Sequence, residues 1–171
     1  MKTVEIVEVA PRDGFQAVKT FIPTERKIAI VEELAACGFS RLEIGSFVSP
    51  KAVPQLSDTG EVLERAKLPA GLRLQVLVPN AKGLELAVEA GVPEVAWVIS
   101  VSESHNRANV NRTVDESFRA FESAWAGLGA KKPKLRLGFS TCFDCPWEGR
   151  IPEEHVVRCV ERGLAAAPDV E

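Results

Sequence analysis

The run Val4-Glu5-Ile6-Val7-Glu8-Val9-Ala10-Pro11-Arg12-Asp13-Gly14-Phe15-Gln16 passes from a β-branched segment into a turn that carries an arginine and an aspartate side by side. Val4, Ile6, Val7 and Val9 suit a pleated strand, and the segment is too short for a helix. Pro11 lacks a backbone donor and ends the strand, and Gly14 permits a turn of unusual backbone angle. Neighbouring opposite charges at a strand's exit are not both meant for burial. They read either as an exposed turn pair worth little or as a pair gripping something charged.

Outward from this stretch the hydrophobic pattern alternates between two periods. Ile28, Ile30, Val31, Leu34 and Ala35 form a stripe at three- and four-residue spacings that Gly38 closes, which predicts a helix after Pro23. Arg41 to Ile44 reads as a second strand, with Glu43 and then Ser46 at its exit, and Thr59 to Ala66 as a weaker helix. Leu72 to Val78 is a third strand stopped by Pro79, and Ala81 to Ala90 a helix ended by Gly91. Val95 to Val101 is a nearly unbroken apolar run, as in a parallel strand covered on both faces.

Ser102 to Arg112 reads as a polar loop. Thr113-Val114-Asp115-Glu116 is a capping-box start for a helix to about Leu128. Lys134 to Phe139 is a fifth strand, and Pro152 to Ala167 a fifth helix with Val156, Val157, Val160 and Leu164 inward. Strand and helix thus alternate without a linker, which predicts a single α/β domain over 1–171, either a (β/α)8 barrel or a doubly wound sheet. No Gly-x-Gly-x-x-Gly or Walker-type loop follows any strand, which removes the usual nucleotide signature of the second alternative.

Composition narrows the partners. The chain has 171 residues, 46% hydrophobic and 26% charged, as in a globular protein able to bury a core. A formal net charge of -3 gives no electrostatic case for nucleic acid or an anionic membrane. No apolar run approaches the ~20 residues of a membrane span, and the N-terminus lacks the plan of a signal peptide. Cytoplasm or an organelle matrix is the expected compartment. Four cysteines are too few and scattered for a disulfide framework and read as reduced thiols. Cys142, Cys145, His155 and Cys159 have the ligand types of a structural zinc site, although Cys159 beside an apolar stripe also reads as a small core residue.

Pro11-Arg12-Asp13-Gly14-Phe15-Gln16 is also similar to a known opening motif. With Glu43-Ile44-Gly45-Ser46-Phe47-Val48-Ser49-Pro50-Lys51, Val78-Pro79-Asn80-Ala81-Lys82-Gly83, Asn109-Val110-Asn111 with Glu116-Ser117-Phe118, and Cys145-Pro146-Trp147-Glu148-Gly149, the chain resembles the 3-hydroxy-3-methylglutaryl-CoA (HMG-CoA) lyases of the DRE-TIM metallolyase superfamily. The resemblance implies a TIM barrel, for which a complete copy takes ~250 residues. The first five or so βα units are therefore expected here, with a sixth strand starting at Asp169-Val170-Glu171. Such a half-barrel is expected to leave open sheet edges and an exposed apolar interior.

The resemblance further implies divalent-metal-dependent cleavage of a 3-hydroxyacyl-CoA to acetyl-CoA and a 3-keto acid such as acetoacetate, chemistry of leucine degradation and ketone-body metabolism. In its terms Asp13 binds Mg2+ or Mn2+, and Arg12 faces the substrate carbonyl and the enolate formed from it. Glu43 supports them near the metal. Gln16 and Lys19 line the mouth for substrate and CoA, and Ser46 and Asn109 contact substrate. His105, which the motif does not require, is expected at the surface. A homodimer is implied, with no nucleic-acid or membrane partner.

The family's His-x-His pair, asparagine and glycine-loop cysteine have no counterpart within 1–171, so cation affinity is expected to be poor. Phe15 stands where many lyases carry leucine, which leaves the acyl branch open. The alternatives are a Claisen-type acyltransferase of the isopropylmalate or homocitrate synthase kind, and a non-catalytic piece that docks to another chain to complete a barrel.

Overall fold

The computed structural model describes residues 4–170. Five strands lie in one parallel sheet in sequence order: β1 (Val7–Glu8), β2 (Arg41–Ser46), β3 (Arg73–Leu77), β4 (Glu94–Ser100) and β5 (Lys134–Ser140). The helices between and after them are α1 (Thr24–Ala36), α2 (Thr59–Arg65), α3 (Ala81–Glu89), α4 (Glu103–Val110), α5 (Val114–Gly127) and α6 (Glu153–Ala166), with a two-stranded hairpin of β6 (Asp144–Cys145) and β7 (Gly149–Arg150) before α6. Five consecutive βα units in this order make a partial (β/α)8 barrel. Any sixth strand at Asp169 to Glu171 would run past the described residues.

Strand alternation sorts the side chains onto two faces. Leu42, Ile44, Val76, Val78, Val95, Trp97, Ile99, Leu135 and Leu137 form the core with Ile28, Val31, Leu84, Phe118, Phe121 and Trp125 from the helices. The opposite face, which would line a barrel lumen, holds Arg41, Glu43, Arg73, Gln75, Glu94, Ser100, Arg136 and Ser140. Leu77, Ala96 and Val98 share this face, Val98 being 39% exposed, so the apolar interior expected is interrupted by polar residues, and among these Arg41, Arg73, Glu94 and Glu5 neutralise one another. Arg41 Nε lies 3.1 Å from Glu94 Oε2, and Arg73 pairs with Glu5 and reaches Glu94 Oε1 at 3.9 Å. Burial of charge is tolerated here because each one meets its opposite.

Three further expectations change. β1 is confined to Val7–Glu8, and Val4 and Ile6 are exposed, because its pairing with β2 reaches only Val7↔Arg41 and Glu8↔Leu42 at the sheet edge. The polar stretch after β4 is helical rather than a loop. Ser102 caps α4 by accepting from the His105 N–H, and Asn111 ends it at φ 54°, a left-handed conformation asparagine tolerates. On α6, Val157 and Leu164 face outward at 46% and 47% exposure, and the buried face is Cys159 and Gly163. A Cβ at Gly163 would come within 2.6 Å of Leu137 Cδ2 and 3.0 Å of Phe139 Cζ, so small residues decide which side of this helix meets the sheet.

The segment after β1 is held by a buried clasp. Gln55 Oε1 accepts from Ile22 N at 2.9 Å, and Nε2 donates to Val18 O at 2.9 Å and Thr20 O at 2.8 Å. Lys27 Nζ, itself buried, donates to Gln55 O at 2.5 Å and Asp58 Oδ1 at 2.7 Å and lies 4.1 Å from the Phe21 ring centroid. Gln55→Ala deletes three hydrogen bonds, each worth about 1 kcal/mol net, and leaves backbone groups unpaired. Tryptic cleavage after exposed Lys19 is therefore expected to accelerate several-fold in this variant under native conditions, and an unchanged rate would refute the clasp.

Candidate active site

Pro11 sits inside a single π-type turn, Ala10–Gly14, not in the glycine-dependent turn expected. The N–H groups of Arg12 and Asp13 both donate to Val9 O, at 3.0 and 2.8 Å, and Ala10 N donates to Glu8 Oε1 at 2.7 Å. Gly14 has no positive φ, and a Cβ there would make only an ordinary 3.6 Å contact with Ala10 Cβ. The wider π turn is a distortion frequent at functional sites, and here it sets Arg12 over the end of β2.

Arg12 Nε donates to Glu43 Oε1 at 2.6 Å and Nη1 to Asp13 Oδ1 at 2.5 Å. Glu43 is 3% exposed and takes a second bond, from Gln75 Nε2 to Oε2 at 2.5 Å. The carboxylate is thus buried with both oxygens engaged, not solvated. Asp13 is the opposite case, with its side chain 66% exposed. Arg12 bridges the two carboxylates, and its Nη2 has no partner among the described residues. The register of β2 on β3 breaks between Glu43 and Gly45, a bulge beside the buried carboxylate. A Cβ on Gly45 would stand 2.6 Å from Thr59 Oγ1, so glycine lets α2 close on this bulge.

Ser46 is buried, its hydroxyl donating to Leu77 O at 2.9 Å and its N–H to Thr59 Oγ1 at 3.2 Å. Gln16 and Lys19 line one cavity of about 300 Å3 together with Val18, Phe21 and Gln55. Asn109 is exposed on α4, away from the loop position expected for it. His105, expected at the surface, is half-buried, with Nδ1 2.6 Å from Ser100 Oγ. Gln75 escaped the sequence reading, although an uncharged polar residue in the middle of Leu72 to Val78, on the strand beside Glu43, was the signal available. Just past β5, Thr141 adopts φ 59°, a left-handed conformation that costs a β-branched residue of order 1–3 kcal/mol and tends to persist near functional sites.

The four zinc-type residues do not converge. His155 Nε2 lies 2.7 Å from Val101 O and 3.9 Å from Cys159 Sγ, whereas Cys142 Sγ donates to Phe139 O. Cys145 accepts from the Ser102 hydroxyl at 2.9 Å. Burial pushes the Cys145 thiol up, but hydrogen bonds from Ser102, Trp147 and Glu148 outweigh it and hold the thiol below its ordinary range.

The donors present do not match the cation that the resemblance implies. Among the described residues no group of three or more His, Cys, Asp or Glu could hold a metal ion. Both oxygens of Glu43 and one of Asp13 are taken by Arg12 and Gln75. A hard cation such as Mg2+ wants about six oxygen-rich positions, so these residues alone do not fit it. Titration of the 171-residue chain with Mn2+, followed by electron paramagnetic resonance, is expected to show no tight stoichiometric site. A saturable site lost with Asp13→Asn would contradict this.

The chain is 41% identical over 162 residues to hydroxymethylglutaryl-CoA lyase YngG of Bacillus subtilis, covering 94% of this chain and 54% of that protein. It is 39% identical over 161 residues to the mitochondrial hydroxymethylglutaryl-CoA lyase of Rattus norvegicus, covering 94% of this chain and 50% of that protein. The structure of an HMG-CoA lyase from Acinetobacter baumannii, in complex with coenzyme A and 3-methylmalate, superimposes with a TM-score of 0.89 at 41% identity over 95% of this chain and 53% of that one. The chain spans about half the length of the curated relatives it matches. The HMGL-like family model matches residues 3–168, and the chain belongs to the HMGL-like family.

Proposed function

We propose that this protein carries the Arg12 side of a carbon–carbon lyase that cleaves HMG-CoA, or a related 3-hydroxyacyl-CoA, to acetyl-CoA and acetoacetate or a related 3-keto acid. The observation that supports the reading most is the bridge Asp13–Arg12–Glu43, with the guanidinium fixed by a buried carboxylate and Nη2 left free. Loss of the C3 hydroxyl proton lets the C2–C3 bond break. Its electron pair moves into the thioester, placing negative charge on oxygen, and protonation at C2 then gives acetyl-CoA. A guanidinium preorganised before the charge develops stabilises that oxygen without reorganisation cost. Glu43 and Gln75 keep Arg12 in place, while Gln16 and Lys19 would receive the thioester's CoA portion in the cavity they line.

The family reading adds a divalent cation, Mg2+ or Mn2+, to which Asp13 would contribute one oxygen; the residues described account for part of such a ligand set only. It also adds a homodimer and a cytoplasmic location. No helix among the described residues is long and apolar enough to cross a membrane. The acyltransferase alternative is not favoured, since the relatives matched bear the lyase name.

Acetyl-CoA release from HMG-CoA with Mg2+ or Mn2+ tests the proposal, using the 171-residue chain and a chain extended to the relatives' length. Cleavage in the extended form that falls about a hundredfold or more with Arg12→Gln is expected. Cleavage indifferent to Arg12, or none with wild-type protein in either form, would overturn it.

A further inference from the structure

A second polar constellation stands on the sheet face that carries Glu43 and Gln75, at the C-terminal ends of β4 and β5. Ser100 and Ser140 are the last residues of β4 and β5 and a register pair. Ser100 Oγ, on a residue only 1% exposed, lies 2.8 Å from Ser140 Oγ and 2.6 Å from His105 Nδ1. This cluster holds an imidazole whose other nitrogen has no partner among the described residues.

The start of α4 is pinned to hold it. Asn106 Oδ1 accepts from Ser100 N at 3.2 Å, and its Nδ2 donates to Arg112 O, Thr113 O and Ser117 Oγ at 2.9, 2.9 and 2.7 Å. Ser104 N donates to Glu148 Oε1 at 2.6 Å, and the Trp147 ring centroid stands 5.8 Å from the imidazole. His105 is thereby clamped between the end of β4 and the β6–β7 hairpin. His155 is the contrast, because its Nε2 is bonded to Val101 O. His105 Nε2 has no partner among the described residues.

The geometry points to His105 as a substrate-recognition residue, resting on the lyase reading above. Either serine can donate between the two hydroxyls, and Ser100 can donate to or accept from Nδ1. The recognition role takes the run Ser140 to Ser100 to Nδ1, which places the imidazole proton on Nε2. That N–H is offered to a carboxylate oxygen at the acyl end of the substrate, the end remote from CoA. Hydrogen bonds to an ionised acceptor are the strong ones, and a donor whose tautomer and rotamer are already fixed loses little freedom on binding. Arg12 then serves the thioester oxygen and His105 the far carboxylate, so the two clusters divide the substrate between them.

The protein has two histidines, which makes imidazole 15N spectroscopy a direct test. The His105 signals, assigned by their loss in His105→Gln, are expected to report the Nε2–H tautomer and to lose it with Ser100→Ala. 3-Hydroxy-3-methylglutarate is expected to shift His105 and leave His155 unmoved, and CoA alone to shift neither. In turnover, His105→Phe keeps the ring beside Trp147 but removes the donor, and is expected to raise KM for HMG-CoA about tenfold with a smaller change in kcat. His105→Gln, which keeps an N–H near the Nε2 position, should recover most of that loss.

Cleavage that proceeds with an unmoved His105, or with an unchanged KM in His105→Phe, overturns the inference and leaves the lyase reading intact. A His105 shift with the free acid, together with no HMG-CoA cleavage by either the 171-residue chain or the chain extended to the relatives' length, supports the recognition role and removes the lyase reading instead.

Discussion

A carboxylate at 3% exposure must find its counter-charge inside the protein, and Glu43 finds it in Arg12. Coulomb attraction and hydrogen bonding repay the desolvation of such a group only when both oxygens are satisfied, and Gln75 supplies the second bond. Three consecutive βα units are joined by this one group. The π turn after β1 delivers Arg12, the bulge in β2 leaves room beside Glu43, and β3 contributes Gln75 from the adjoining register position. Removing Glu43 alone would leave Arg12 paired only with exposed Asp13 and the buried Gln75 amide nitrogen unpaired, which costs about 1–3 kcal/mol.

The same need for pairing explains the lumen face of the sheet. Arg41, Arg73, Glu94 and Glu5 neutralise one another at the N-terminal ends of the strands. The C-terminal ends of β4 and β5 carry hydroxyls and an imidazole, and neither Arg12 Nη2 nor His105 Nε2 has a partner among the described residues. Charges that satisfy each other hold the sheet together, and donors left unsatisfied face the end where a barrel of this class does its chemistry.

Much of the fold was legible because period-two and period-3.6 patterns are written locally. The glycine stops at Gly38 and Gly91 both appear at positive φ, and both bonds of the Thr113 capping box are present. What was not legible depends on partners distant in sequence. Glu43 reads as a solvated carboxylate until β3 brings Gln75 beside it. α4 was hidden because Ser102 to Arg112 has no apolar stripe, and its stability comes from the Ser102 cap and the buried Asn106. Of the residues expected inward on α6, Val156 packs against the core, but Val157 and Leu164 face outward because the close approach of Leu137 and Phe139 selects Gly163 and Cys159. At the site, Arg12 and Asp13 were visible as a pair, but that one is held and the other exposed follows only from the three-dimensional positions of Glu43 and solvent.

The central claim is that Arg12 acts in catalysis from a position set by Glu43, so the two must be coupled. A double-mutant cycle on HMG-CoA cleavage, with Arg12→Gln, Glu43→Gln and both together, measures that coupling most directly. Strong non-additivity is predicted, with Glu43→Gln costing little once Arg12 is gone. Fully additive losses would show that the buried pair is structural and that the two residues act separately.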